Sequence, residues 1–336
     1  MKPNSFYSKH KLWCEMQDAG LRPAYGNFSR HSIEFRKSMN DFIKGFVMYQ
    51  PSSVFRADIF KDKVAIVTGG GTGIGLAIAE ELVKGGAKVV IASRKMERLQ
   101  VAAKGLSHDY NAEVTPLTCN IRKTEEVEQL FDQVLKKYGK VDYLINNGGG
   151  QFLTPATGIS EKGWKAVVDT NLNGTWNMCI AAANKWMLVN GGKIVTIVAD
   201  MWRGFPGMAH TGAARAGVVN LAQTLAVEWA NSKINVNCVA PGIICSSGMN
   251  NYPPGSTDMM WKRIPMKRLG SSDEIAWAVC YLLSPAGDFI TGETIKVDGG
   301  GSLWGETWPI PDSGEAPEIK IQPWPEDRWP EFVEKE

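Results

Sequence analysis

"TGGGTGIG", residues 68–75, closes the apolar run "VAIVT" (64–68) and opens the amphipathic stretch "GLAIAEELVKGG". Glycines between a strand and a helix permit a tight turn, let the backbone approach a pyrophosphate, and allow close helix–sheet packing. The helix that begins there aims unpaired N–H groups at the phosphates. In this context the stretch reads as a dinucleotide-binding turn.

The flanking sequence repeats the same alternation. Strand-like runs stand at 64–68, 88–93, 113–119, 141–147, 192–198, 234–241 and 294–299, with amphipathic stretches between them. One of these, "TEEVEQLFDQVLKKYG", ends on Gly139, as a helix C-terminus does. Such alternation predicts an α/β fold of the Rossmann type: a doubly wound parallel sheet of about seven strands with helices on both faces. This domain is expected over 61–304, after an N-terminal extension (1–60) and before a C-terminal arm (305–336). From residue 301 onward Trp304, Trp308, Trp324 and Trp329 lie among six prolines and nine acidic side chains. That composition suits an extended arm with indole anchors rather than a regular helix.

The 336 residues accommodate one large α/β domain with extensions, or two small ones. A net charge of +2 gives no general case for nucleic acid or a membrane surface. No run of about 18 apolar residues stands anywhere, so no membrane insertion is expected. Six cysteines are scattered without a Cys-x-x-Cys pair, so neither a metal site nor a disulfide framework is expected. The basic N-terminus has no apolar signal core, and a cytoplasmic address follows as the default expectation.

The second strand ends "ASRK" (92–95). An acidic residue here would bind an adenosine ribose and repel a 2′-phosphate. Ser93 and Arg94 offer a hydroxyl and a guanidinium instead, which favours NADP(H), although a solvated basic turn would read the same way.

With "TGGGTGIG" go "NNGGG" (146–150), Asn171, Pro241-Gly242 and "VDGG" (297–300). Over about 61–304 the chain resembles the short-chain dehydrogenase/reductase superfamily. Through "NNGGGQF", "HTGAARAGV" and "ASRK" it is closely similar to peroxisomal-type trans-2-enoyl-CoA reductases, with 2,4-dienoyl-CoA reductases as near relatives. The chain ends "VEKE", so the subgroup's name is not taken as a location. The resemblance implies that Gly69, Thr72, Gly73, Ile74 and Gly75 line the pyrophosphate and that Asn120 and Ile121 flank the adenine. It implies that Asn147, Gly148 and Gly149 border the adenosine ribose, and that Pro241, Gly242, Ile244 and Ser246 flank the nicotinamide carboxamide. It also implies a homo-oligomer, a tetramer or dimer, paired through the helices that contain Asn171 and Thr211.

By position, "HTGAARAG" (210–217) should carry the superfamily's Tyr-x-x-x-Lys pair but offers Thr211 and Arg215, which share a helix face. Carbonyl reduction needs an acid such as a phenol, and a threonine hydroxyl cannot ionise usefully near neutrality. Val198 or Ala199 replaces the usual serine as well. Reduction of an enoyl thioester needs only fixed donors for an enolate oxygen and a proton for Cα. Asn171, Thr211 and Arg215 are candidate donors, and Arg215 is also a candidate ligand of the nicotinamide ribose. His210, a bound water and, less favoured, Asp200 are candidate proton sources. The same deviation fits a scaffold that binds NADP(H) without turnover, and a dienoyl-CoA or 3-ketoacyl reductase with an unusual acid stays open.

Residues 248–270 occupy the position of the superfamily's substrate-covering loop. Tyr252 and Trp261, with Gln151, Trp202 and Phe205 on the other wall, are candidate contacts for an acyl-CoA thioester. Met249, Met259 and Met260 add apolar surface there. Lys262, Arg263, Lys267 and Arg268 are placed either against coenzyme A phosphates or on a solvated face.

Overall fold

The computed structural model describes residues 55–247, 249, 260–305 and 309–310. Tyr252, Met259, nearly all of the N-terminal extension and most of the C-terminal arm lie outside them. In chain order the elements begin β1 (Val64–Thr68), α1 (Gly73–Lys84), β2 (Lys88–Ser93), α2 (Met96–Tyr110), β3 (Val114–Thr118), α3 (Thr124–Tyr138) and β4 (Tyr143–Asn146). A broken helical stretch follows: α4 (Glu161–Val168), a π-helical turn (Asp169–Asn173), α5 (Gly174–Ala182), a second π-helical turn (Ala183–Met187) and α6 (Leu188–Asn190). Then come β5 (Gly192–Ile197), α7 (Ala209–Glu228), β6 (Ile234–Pro241), β7 (Ile244–Cys245), β8 (Gly270–Ser271), α8 (Ser272–Leu283) and β9 (Thr294–Val297).

Seven strands form one sheet in the order β3-β2-β1-β4-β5-β6-β9, and every pairing is parallel. Each strand expected from the sequence is present. The trimmed ends have local causes. Asp142 turns its carboxylate back to accept from Val64 N–H (2.9 Å), so β4 begins after it. Asp298 accepts from the Gly300 and Ser302 amides, which starts a turn where β9 stops.

Strand alternation divides the interior into two apolar layers. Ala65 and Val67 of β1, Val89 and Ile91 of β2, and Ile145 of β4 face α1, α2 and α8. Val64 and Ile66, Val90, and Leu144 face α3, α5 and α7. The amphipathic α3 lends Val127, Leu130, Phe131 and Val134 to that second layer and ends on Gly139, whose φ is +73°. The described cysteines (Cys119, Cys179, Cys238, Cys245 and Cys280) are free and buried. Burial pushes the Cys119, Cys179 and Cys238 thiols up to about 12, so they act as apolar filling rather than nucleophiles.

The start of α8 is held firmly. Ser271 Oγ accepts from Glu274 N–H (3.1 Å) while Glu274 Oε2 accepts from Ser271 N–H (2.8 Å), a capping box. Arg268 grips the same carboxylate at 2.9 and 2.6 Å, and this pairing, ahead of the Ser271 bonds, lowers the Glu274 pKa. A lowered folded-state pKa contributes stability above the unfolded carboxylate value and loses it as pH falls through the folded one. Glu274→Gln is therefore expected to cost about 1 kcal/mol at pH 7, a cap plus a partly solvated ion pair. Denaturant melts should show the difference from the parent shrinking below about pH 4. A pH-independent difference would mean that the charge is irrelevant.

Candidate functional site

β1 and β4 are neighbours from which the chain leaves in opposite directions, and the crevice beyond their carboxyl ends is where open α/β sheets bind ligands. Thr68, the last residue of β1, closes that crevice from below. Its buried hydroxyl donates to Ile145 O (3.2 Å) and accepts from Asn147 N–H (3.0 Å) and Gly148 N–H (2.8 Å). Asn147 Nδ2 returns to Thr68 O (3.0 Å). The glycine turn is thus stitched to the "NNGGG" segment.

The turn has no room for side chains. Gly69 has φ +66°, and a Cβ there would lie 2.8 Å from Asn147 Nδ2. A Cβ on Gly75 would fall on Gly69 O and on that same amide. Thr72 leads into α1 without a side-chain cap, so the first N–H groups of the helix have no cap oxygen before them. Ser247 Oγ stands 3.3 Å from where a Gly73 Cβ would be, with Ser246 beside it. Gly69 N–H donates to Ala92 O (2.7 Å), which sets half-buried Ser93 and exposed Arg94 next to the turn. A bare helix start, a cradle closed to Cβ atoms and two flanking hydroxyls suit a dinucleotide phosphate.

Asn120 and Ile121, expected beside the adenine, are largely occupied within the chain. Asn120 Oδ1 accepts from Arg122 (3.3 Å to N, 3.2 Å to Nε). Ile121 packs at Gly174 and Gly148, walling the crevice rather than reaching across it. On the far side, Gly242 brings the end of β6 so close to β9 that a Cβ would meet Asp298 Cα at 2.7 Å. Ile244 and Ser246 continue that wall, both buried.

Asn171 lies in the first π-helical turn. Its Nδ2 donates to Gly150 O and Val167 O, both at 2.8 Å, and its Oδ1 accepts from Gly150 N–H (3.3 Å). The amide is fully engaged, so Asn171 positions the loop rather than offering an unused donor. One turn of loop earlier, a Cβ on Gly149 would meet Asn171 Oδ1 at 2.6 Å and Arg215 Nη2 at 2.8 Å. Gly149, Asn171 and Arg215 therefore converge.

Thr211 and Arg215 do share one face of α7, as their spacing requires. Arg215 Nη1 donates to Ile197 O, at the end of β5. Burial lowers its pKa to about 10, and it stays cationic at neutrality. Among the described residues it has no carboxylate partner. A half-buried guanidinium without an anion carries a desolvation cost, and such sites mark function. Thr211 is fully buried, and its hydroxyl lies 3.3 Å from His210 Nδ1. His210, also 0% exposed, has the Phe152 ring edge-on at 4.4 Å.

The acyl-side wall is tied together by backbone bonds. Thr154 N–H donates to Gly207 O (2.8 Å), joining the loop of exposed Gln151, Phe152 and Leu153 to the segment that carries Phe205. Lys296 lies over the Trp202 ring (4.4 Å). Arg203 donates to Ser302 O (3.2 Å) and to Trp304 O, while Lys267 lies over the Trp304 ring (4.7 Å). Trp304, the last residue of the expected domain, is thus held against Arg203 and Lys267. Two expectations change here. Trp261 is buried with Cys245, Ile264 and Leu269, where it holds the loop down instead of lining a free surface. Lys267 is buried against Trp304 rather than on a solvated face, whereas Arg268 is exposed, as one of the two alternatives had it, and pairs with Glu274. Asp200 sits near Gly301, its pKa raised by burial and by Asp298. The sequence reading passed over Thr68 and Ser247. A polar residue ending an apolar strand, and the second of two serines after β7, were the available signals.

Comparison with known proteins follows from this geometry. The family model described as "Enoyl-(Acyl carrier protein) reductase" matches residues 69–302. The peroxisomal 2,4-dienoyl-CoA reductase [(3E)-enoyl-CoA-producing] of Danio rerio is 38% identical over 288 residues, covering 84% of this chain and 92% of its own. Its counterpart from Rattus norvegicus is 40% identical over 251 residues, 74% of this chain and 86% of its own. Among solved structures, the citronellol catabolism dehydrogenase of Pseudomonas aeruginosa PAO1 superposes with a TM-score of 0.68 at 41% identity, covering 75% of this chain and 99% of that one.

An uncompensated cation out of full contact with water is expected to lower stability in exchange for function. Because Arg215 is half-buried, Arg215→Met should melt no lower than the parent despite losing the bond to Ile197 O. Calorimetry checks this. A large drop in melting temperature would make Arg215 a structural residue instead.

Proposed function

The chain belongs to the short-chain dehydrogenase/reductase superfamily and is an oxidoreductase, and on that premise we propose that it reduces the C2–C3 double bond of an enoyl-CoA thioester with NADPH. The observation that carries this reading is the α7 face: a half-buried guanidinium with no counter-ion among the described residues stands beside a threonine where the superfamily has a phenol. That face can bind negative charge but has no phenolic acid to deliver a proton to an alkoxide. The dienoyl-CoA reductase names of the relatives support the same thioester class.

NADPH, when bound, supplies the hydride that goes to Cβ. The glycine turn and the open start of α1 would hold its pyrophosphate, and Ser93 with Arg94 its 2′-phosphate. Pro241, Gly242, Ile244 and Ser246 would border the carboxamide end, with Asn147, Gly148 and Gly149 across the crevice. As charge moves from the double bond onto the thioester oxygen, Arg215 and the Thr211 hydroxyl act as donors fixed before the reaction starts. Asn171 keeps the 149–150 loop from drifting into that space. The Cα proton comes from water. Phe152, Leu153, Trp202 and Phe205 form the apolar wall for the acyl chain.

A second reading, 3-ketoacyl reduction, is separated by product. The purified chain is expected to oxidise NADPH with trans-2-hexenoyl-CoA and to leave 3-ketohexanoyl-CoA unreduced. Thr211→Val should lower the rate about 10- to 1000-fold, the scale of one oxyanion donor, and Thr211→Ser should retain most of it. Alcohol formed from the ketoacyl thioester, with the enoyl thioester untouched, would overturn the proposal. NADPH bound without turnover of either thioester would favour the inactive scaffold.

Cofactor choice is tested separately. Arg94→Asp is expected to weaken NADPH binding by about 1.5–3 kcal/mol, one charge-assisted contact, with NADH binding changed much less. Fluorescence titration of both nucleotides reads the ratio; an unaltered ratio removes Arg94 from the 2′-phosphate site.

A further inference from the structure

Two glycines stand inside helices where alanine would serve the backbone better. Gly163 lies in α4 and Gly212 near the start of α7, and neither has a positive φ. Glycine weakens a helix relative to alanine, so what these positions require is the absence of a Cβ. In both, an aromatic side chain of the acyl wall takes the space. A Cβ on Gly163 would lie 2.9 Å from Phe152 Cζ, and one on Gly212 would lie 3.0 Å from Phe205 Cβ. Both distances fall short of the about 3.5–4.0 Å at which carbon atoms pack. The Phe152 ring also meets the His210 ring edge-on at 4.4 Å, so it is wedged between α4 and α7.

The two aromatics stand on either side of one strip of α7. The loop after β4 runs along the start of this helix, with Gly149 against Arg215, Phe152 against His210 and Leu153 against Gly207. Phe205 packs at Gly212 instead. His210 and Gly212 precede and follow Thr211, about 100° to either side of it around the helix axis. Phe152 and Phe205 are therefore seated on opposite flanks of the face that carries Thr211 and Arg215.

The geometry points to Gly163 and Gly212 as specificity-determining residues: each draws a wall aromatic back onto a helix, and together they give the site the width for an acyl chain branched close to the thioester. This inference rests on the enoyl thioester reading, which puts the thioester oxygen at Thr211 and Arg215 and so the first acyl carbons between the two rings. A methyl group at either glycine moves its aromatic toward that space. Phe152 is 41% exposed and meets Gly163 through its ring tip, so the ring is driven outward. Phe205 meets Gly212 through its Cβ, so its chain moves with it.

With NADPH, the parent is expected to reduce trans-2-butenoyl-CoA and trans-4-methyl-2-pentenoyl-CoA with kcat/KM values within about tenfold of each other. In Gly163→Ala and in Gly212→Ala the ratio of branched to straight kcat/KM should fall about 10- to 200-fold, the range over which an apolar pocket tells small alkyl groups apart. Adding Phe205→Ala to Gly212→Ala should restore the ratio, which repair of a merely structural defect would not do. A parent that rejects the branched thioester, a ratio unchanged in both alanine variants, or a loss that Phe205→Ala leaves in place would overturn the inference. Binding gives a readout without turnover: butanoyl-CoA and 4-methylpentanoyl-CoA titrated calorimetrically onto the chain with NADP+. An inactive parent whose alanine variants selectively lose the branched ligand sinks the reductase reading and leaves the two glycines as the seats of the wall. An active parent whose variants keep both ligands alike sinks the inference alone.

Discussion

Everything at the nucleotide end depends on how closely the turn after β1 can approach the segment after β4. Thr68 sets the distance by holding Ile145 O and two amides of the neighbouring segment at one hydroxyl, and glycine at 69 and 75 removes the atoms that would prevent it. The consequence spreads outward. With the 147–150 segment pulled in, Gly149 comes against both Asn171 and Arg215, and the helix carrying Asn171 yields a π-helical turn there. Asn171 fills the gap left in that helix by taking Val167 O as well as Gly150 O. A single close approach thus reaches from the phosphate cradle to the proposed reaction centre.

The other end is organised by charge rather than by space. Arg215 is held by a backbone carbonyl and confined by the sheet, and no described acidic side chain relieves it. Asp298 caps the turn after β9 with Asp200 beside it, and neither acts on Arg215. The site therefore presents a standing positive potential in a low-dielectric setting, which favours substrates whose reaction gathers negative charge on oxygen.

How far this was legible in the sequence differs between the two ends. Strand runs, the glycine turn and the Gly139 helix stop are local patterns, so the seven strands of the main sheet followed from spacing, whereas the two-residue strands β7 and β8 left no such pattern. Thr211 and Arg215 shared a face because helix geometry requires it. What the sequence hid was commitment. Nothing near Asn171 in the chain says that its amide is used up by Gly150 and Val167, and Trp261 gives no local sign that it packs with Cys245 and Leu269. Hydrogen-bond accounting is a property of the assembled chain, and it separates a residue with a donor left over from one without.

The Arg203 clasp has a consequence for the order in which the molecule can be completed. Its acceptors, Ser302 O and Trp304 O, lie 99 and 101 residues further along the chain, and β9, which seats them, pairs only with β6. During synthesis the phosphate cradle has all its strands once β4 has emerged, whereas the wall leading into α7 waits for residues past 300. That half is thus the last part to gain its tertiary restraints, and a nascent or truncated chain can form the glycine turn and its Thr68 contacts before the wall leading into α7 is complete.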